Sequence, residues 1–244
     1  MAKTVLIASG KGGVGKSTSA CALGKALADM GKRTLIVDCD AGMNSVNVML
    51  RCAERCVFNW YDVSAGQCEA ENAPVQLSEN LSVLAAPATA LQEDASDAVR
   101  DTVLKLQDGF DFVILDAPAG LGRGLTRAAN AAKTALIVAT GDRVSVQAAA
   151  TVANTLREKG FGELRLLLNR YDVRAAKRRN YLTIDEMIDL SCVQLLGIVP
   201  EDKKIMYSTV TEETPELVRS ARAFRRIARR ICGEDVPLKL SLLK

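Results

Sequence analysis

One stretch near the N-terminus limits what this chain can become: Gly10-Lys11-Gly12-Gly13-Val14-Gly15-Lys16-Ser17-Thr18. Four residues separate Gly10 from Gly15 and Lys16-Ser17 follow, which is the spacing of a phosphate-binding P-loop. Such a loop needs a buried strand before it and a helix after it, and both flanks comply. Residues 3–9 hold the short apolar run Val5-Leu6-Ile7-Ala8. Residues 17–30 read as a helix with Ala22, Leu23, Ala26 and Leu27 on one side, ended by Gly31. Glycines let successive backbone N–H groups curl toward phosphate oxygens, and the helix adds free N–H groups and its positive dipole end. In this pattern Lys16 holds the β- and γ-phosphates and the Ser17 hydroxyl ligates Mg²⁺. A glycine-rich turn that merely joins strand to helix is the bland alternative, and the Lys-Ser pair in this context argues against it.

The rest of the chain alternates strand and helix patterns. Strands are expected at residues 33–39, 81–86, 110–115, 133–140, 164–168 and 195–199. Helices are expected over 95–107, 145–159 and 215–232, with a short one within 55–65. Strands separated by helices imply an α/β fold: one doubly wound, mainly parallel sheet with helices on both faces. The expected division is a P-loop NTPase domain over 1–232 and a short tail over 233–244. At 244 residues one domain of this kind builds its own core. The net charge of +3 does not by itself imply a nucleic-acid partner. Seven cysteines, without a Cys-x-x-Cys pair, read as reduced structural thiols of a cytoplasmic protein. Histidine is absent, which removes the commonest metal ligand and general base. The first residues run straight into a strand, so no signal peptide is expected, and no apolar run approaches the roughly 20 residues of a membrane span.

In such sheets ligands gather at the C-terminal ends of strands. Acids stand there: Asp38 and Asp40 in Asp38-Cys39-Asp40-Ala41-Gly42, and Asp116 in Asp116-Ala117-Pro118-Ala119-Gly120. Asp116 follows Phe112-Val113-Ile114-Leu115 and fits a Walker-B acid that holds Mg²⁺, although an acid capping a loop is common at strand ends.

The second lysine of the loop narrows the reading. Lys-Gly-Gly-Val-Gly-Lys-Ser-Thr, with Lys11 inside and Lys16 at the end, resembles the deviant Walker A loop of the MinD/ParA ATPases. Asp38-x-Asp40-x-Gly42 and Asp116-Ala-Pro-Ala-Gly120 resemble the two switches of the MinD branch. Asn169-Arg170-Tyr171 and Val199-Pro200-Glu201-Asp202 resemble its base-binding segments. The matches come in the right order and span residues 2 to about 232, so the chain is identified as a member of this group. The resemblance implies an ATPase that uses ATP and Mg²⁺. Gly12, Gly13, Val14, Gly15, Lys16, Ser17 and Thr18 would hold the phosphates, and Asn169, Arg170, Pro200, Glu201 and Asp202 the base. Ser17, Asp38 and Asp116 would serve the metal, and Asp40 the attacking water. Lys11 would reach a partner subunit's phosphates, so hydrolysis would need a dimer.

The resemblance also implies septum placement by cycling between the cytoplasm and the inner face of the membrane, with MinC- or MinE-like partners. Alternatives inside the group are a ParA-like or flagellar-number-regulator-like switch whose output is DNA or protein docking. An iron–sulfur carrier would need the missing Cys-x-x-Cys. The sequence departs from the group at Asn44 and Asn47 after the first switch and at Gly122 and Arg123 after the second. It also departs in its tail, only about two helical turns after Pro237, which either meets a membrane or packs back. Over 215–232, Arg219, Arg222, Arg225, Arg226, Arg229 and Arg230 fall on one side. Leu217, Ala221, Phe224, Ile227, Ala228 and Ile231 fall on the other. A solvated face is the plain reading of that stripe. An anionic surface reached through Arg219, Arg222 and Arg226 is the sharper one, with lipid headgroups ahead of DNA.

Overall fold

The computed structural model describes residues 1–89, 95–178, 181–202 and 219–238. Among the described residues, eight strands form one sheet: β1 (Lys3–Ala8), β2 (Thr34–Asp38), β3 (Val75–Ser78), β4 (Leu81–Leu84), β5 (Phe112–Asp116), β6 (Thr134–Ala139), β7 (Glu163–Tyr171) and β8 (Leu195–Pro200). Their order is β3-β4-β2-β5-β1-β6-β7-β8, and every pairing is parallel except β3 with β4. β1 therefore lies inside the sheet, with buried neighbours on both sides.

The helices are α1 (Lys16–Ala28), α2 (Ser45–Met49), α3 (Trp60–Ser64), α4 (Ala98–Leu106), α5 (Arg123–Ala129), α6 (Arg143–Glu158), α7 (Val173–Lys177), α8 (Ile184–Ser191) and α9 (Arg219–Ile231). Alternation along the strands feeds two cores. Leu6, Leu35, Val37, Val113 and Leu115 face the side of α3 to α6, whereas Val5, Ile7, Ile36, Ile114 and Leu136 face α1 and α9. α1 is buried more widely than a one-sided reading foresees. Ser19, Ala20, Cys21, Leu23, Gly24, Ala26, Leu27 and Ala28 are all buried, because the helix lies between the sheet and α9.

The sequence expectation for the short helix within 55–65 contracts to α3, where Asn59 and Asp62 form a reciprocal capping box. β3, α2, α5, α7 and α8 were not anticipated. Both ends of the sheet are modified. β3 is four residues long and carries a register shift between Gln76 and Ser78. At β8 the Arg230 guanidinium donates to the Leu196 carbonyl (3.0 Å).

Arg230 also donates to the carbonyls of Val236 (2.8 Å) and Pro237 (3.0 Å), so the start of the tail is strapped against the domain. Arg230 thus leaves the arginine stripe and becomes a clamp. On α9 the apolar side is Ala223, Phe224, Ile227, Ala228 and Ile231, and Ala221 is exposed, a correction of one helical position. Leu217 and the tail residues 239–244 lie outside the described residues.

Candidate active site

The sheet register assembles the site. Ile7 of β1 stands level with Asp116 of β5, and Asp116 with Asp38 of β2, so two strand-end acids lie side by side where β1 enters the P-loop. The loop then turns into α1 through Gly15, whose φ of +87° is a left-handed conformation. A Cβ there would also stand 2.3 Å from Asn169 Nδ2, so any side chain would strike the neighbouring strand end. Gly10 is constrained differently: its Cβ would stand 2.4 Å from the Ala148 carbonyl oxygen, so the loop entrance presses on α6.

Lys11, Gly12, Gly13, Gly15, Lys16, Ser17 and Thr18 line a cleft of about 520 Å³, a volume suited to a nucleotide-sized ligand. Val14 does not line it. Its side chain is buried in the core, and its carbonyl accepts a hydrogen bond from Asn169 Nδ2 at 2.8 Å. Asn169 is on the cleft wall, and one of its two amide N–H groups braces the loop, which leaves the second N–H and the carbonyl oxygen for other partners. Arg170, Pro200, Glu201 and Asp202 complete that wall, with Arg170 Nε 3.1 Å from Glu201 Oε2 across the rim. Arg170 itself takes φ 54°. Asp40 also lines the cleft. Met43, Met49 and Phe224 also line the cleft, and sequence reasoning did not single them out as site residues.

The two loop lysines point to different partners. Lys16, almost wholly buried, places Nζ 2.8 Å from Asp116 Oδ1 and 3.2 Å from Ser17 Oγ. Lys11 is 46% exposed and places Nζ 3.2 Å from Asp142 Oδ1. Asp142 caps α6. Its carboxylate accepts from the Ser145 backbone N–H (3.0 Å) and the Thr140 hydroxyl (2.6 Å). Although burial works against it, these bonds and the Lys11 charge hold the Asp142 carboxyl below its ordinary value. The sequence expectation starts this helix at 145, whereas the structure starts it at Arg143 with Asp142 as its cap, and neither that cap nor its pairing with Lys11 was foreseen.

The strand-end acids lie behind the cleft wall, both fully buried. Asp38 accepts from the backbone N–H groups of Asp40 (2.9 Å) and Val46 (3.1 Å), one on each oxygen. It therefore braces the loop that carries Asp40, and its expected service to a metal's water shell is narrowed to lone pairs those bonds leave. Burial raises its carboxyl to about 6, against the two backbone bonds and helped by the nearby Asp116 charge. Trp60 supports it from below, donating its indole N–H to the Asp38 carbonyl at 2.8 Å.

Burial also pushes the Asp116 carboxyl up, against the Lys16 ammonium and the neighbouring Ser17 hydroxyl. Asp116 Oδ2 is buried without a hydrogen-bond partner. An orphaned carboxylate oxygen beside a serine hydroxyl is a hard, oxygen-only donor set. It fits Mg²⁺, which binds through one or two carboxylates completed by phosphate and water. Among the described residues no group of three or more acids, cysteines or histidines forms a ready-made metal cage.

At the departures, Asn44 takes φ 47° ahead of α2, and the Oδ1 atoms of Asn44 and Asn47 are buried without partners. Gly122 is the extended cap of α5, and Arg123 is exposed. Met43 on the cleft wall is 68% exposed; Leu121, two residues after the cleft residue Ala119, and Val144, two after the cap Asp142, are 48% and 68% exposed.

Comparison with known proteins agrees with this geometry. The family model for the CobQ/CobB/MinD/ParA nucleotide binding domain matches residues 5–215. The septum site-determining protein MinD of Synechocystis sp. is 34% identical over 97% of this chain and 92% of its own length. MinD in the MinC:MinD cell division complex of Aquifex aeolicus superposes with a TM-score of 0.88 at 30% identity, covering 98% and 99% of the two chains. The Pyrococcus horikoshii MinD complexed with Mg-ADP gives 0.83 at 27% identity, covering 95% and 96%. A loop built to cradle phosphate, set in a sheet shared with these relatives along nearly its whole length, places the chain in the CobQ/CobB/MinD/ParA family of nucleotide-binding domains.

Proposed function

We propose that this chain is a Mg-ATP-dependent, dimerising ATPase of the MinD type. It would place the division septum by associating with the inner face of the membrane while ATP is bound and returning to the cytoplasm after hydrolysis. The observation that carries this reading is the divergence of the two loop lysines. Lys16 is turned inward on Asp116, beside its own cleft. Lys11 also lines the cleft but is half exposed and pairs with Asp142 at the surface. A half-exposed cation at the cleft, held by a surface carboxylate and not by the buried acids, suits the phosphates of a second copy.

Within one subunit, the glycine-rich backbone and Lys16 would orient the triphosphate, and Thr18 would contact its α-phosphate. Asn169, Arg170, Pro200, Glu201 and Asp202 would hold the base. Ser17 and Asp116, with Asp38 behind them, would keep Mg²⁺, which neutralises charge on the β- and γ-oxygens. Asp40, held by Asp38 on the cleft wall, would orient the attacking water. The partner's copy of the loop lysine would stabilise charge that develops on the leaving group. Hydrolysis would be slow in the monomer and activated by dimerisation and by a MinC- or MinE-like partner.

The test measures mass by light scattering and co-sedimentation with anionic liposomes, in ATP, in ADP and without nucleotide. A dimer that sediments with vesicles only in ATP is the expected result. A monomer in all three conditions would refute the switch, and a dimer that ignores vesicles would remove the membrane from it.

A further inference from the structure

The two acid-bearing loops are joined by a second route, behind the cleft. β2 and β4 are paired as far as Val37 and Leu84. One residue further on, Trp60 joins them instead: its backbone N–H donates to the Ala85 carbonyl (3.2 Å) and its indole N–H to the Asp38 carbonyl (2.8 Å). The Trp60 carbonyl in turn accepts from the Thr102 hydroxyl of α4 (2.9 Å). Trp60 is fully buried, and every polar atom it has is thus satisfied within the protein. What lies over the ring is a cation: the Arg127 guanidinium carbon stands 5.4 Å from the ring centroid. Arg127 is half-buried, and its Nε donates to the Ala95 carbonyl at 3.0 Å. It belongs to α5, the helix that follows the Asp116 loop. One turn earlier on the same face, Gly124 meets Pro118 so closely that a Cβ would stand 2.5 Å from the proline Cγ. A contact that tight does not let the Asp116 loop and α5 shift independently.

We propose that Arg127 is a positioning residue: through the Trp60 indole it couples the loop that carries Asp116 to the loop that carries Asp38 and Asp40. The path is contiguous. Pro118 presses on Gly124, Arg127 covers Trp60, and Trp60 holds the Asp38 backbone. The Asp38 carboxylate then accepts from the Asp40 and Val46 N–H groups. Tryptophan attracts a guanidinium more strongly than the other aromatic rings, and a ring shielded from water keeps that attraction. A cation on the ring face also polarises the indole N–H, which strengthens the bond it donates. Arg127 therefore tightens the hold on Asp38 without touching it. A nucleotide that fixed the Asp116 loop would fix α5 and Arg127 with it, and so hold Asp40 where it would orient the attacking water. That last step rests on the proposed ATPase, whereas the contact path does not.

The experiment compares Arg127→Lys with Arg127→Met in the full chain. Both lose the Nε bond to Ala95 and only lysine keeps a cation for the ring, so the difference between them isolates the charge. In nucleotide-free protein, amide hydrogen exchange is read at Asp40 and Val46, with Leu6 and Ile114 as core controls. Arg127→Met should speed exchange at Asp40 and Val46 by about 2- to 30-fold, the range of a cation–π contact, while the core amides keep their protection. Arg127→Lys should stay near the parent rate. In Mg-ATP turnover, Arg127→Met should lower kcat by a similar factor of about 2 to 30 with KM unchanged, since only the placement of Asp40 is loosened. Arg127→Met/Trp60→Phe should be no slower than Trp60→Phe alone. If Arg127→Met fails to fold, Arg127→Gln takes its place. Exchange that is unchanged at Asp40 and Val46, or speeded equally at the core controls, would overturn the proposal. So would lysine behaving like methionine, or effects that multiply in the double variant. A parent chain that hydrolyses no ATP would refute the ATPase reading instead, and the exchange comparison would still decide whether Arg127 braces Asp38.

Discussion

If Lys11 must reach a second subunit, its ion pair with Asp142 has to break first, and Asp142→Asn tests this cleanly. Asparagine is as good a helix cap as aspartate, so the hydrogen bond from the Ser145 N–H to this position survives and α6 keeps its start. What is removed is the charge 3.2 Å from Lys11 Nζ. The side chains are 46% and 38% exposed, so the pair is screened and contributes about 0.2–1 kcal/mol. Two pairs break per dimer, giving about 0.4–2 kcal/mol, or a roughly 2- to 30-fold tighter dimer in Mg-ATP. Sedimentation velocity across a concentration series reads this directly. The ATPase rate per subunit should reach its plateau at correspondingly lower protein concentration. Asp142→Ala, which loses the cap as well, should tighten the dimer less and lower the melting temperature. If Asp142→Asn folds normally and dimerises no better than the parent chain, the pair does not restrain Lys11 and this reasoning fails.

Other perturbations follow from the same site. Burial raises the Asp38 carboxyl from 3.8 to about 6, so the folded chain holds that proton more tightly than the unfolded one. The resulting stability is complete below about pH 4 and is lost as pH rises through 6, at most about 3 kcal/mol, with Asp116 adding in the same direction. Nucleotide-free protein should accordingly melt higher at pH 5 than at pH 7.5, and a flat profile would contradict the burial assigned to these acids. Lys16→Met should destabilise the free protein by about 3 kcal/mol by leaving Asp116 buried alone. Urea unfolding should show most of that regained in Lys16→Met/Asp116→Asn. Trp60→Phe removes the indole bond to the Asp38 carbonyl and should cost about 1 kcal/mol or more in the same assay, with ATP turnover lowered through Asp40.

The parts of the site tied to chain order were legible. Residues 10–18 are recognised by spacing, and Asp38 and Asp116 by the apolar runs before them, because parallel strands deliver their last residues to one edge. The base-side segments at Asn169 and Pro200 were reached through resemblance, as no spacing rule finds them. Elements with few turns escaped: α2 and α7 have five residues, α5 has seven, and β3 has four. Periodicity cannot speak over so short a span. Long-range pairing escaped too. Lys11 and Asp142 are 131 residues apart, and Val14 and Asn169 are 155. α1 was read as one-sided because small residues such as Ser19 and Gly24 carry no apolar signal, yet they are what lets two layers close on it.

The outer strands bear on how this protein survives its own concentration changes. On the proposed cycle, a chain that gathered on a surface and dispersed again would meet copies of itself at high local density. A bare sheet edge would then invite strand-by-strand growth. Here one boundary is the four-residue β3 with its broken register, and at the other an arginine from α9 occupies a carbonyl of β8. Both discourage irreversible stacking of sheets. On that cycle, self-association would be left to a face that opens again when the nucleotide is spent.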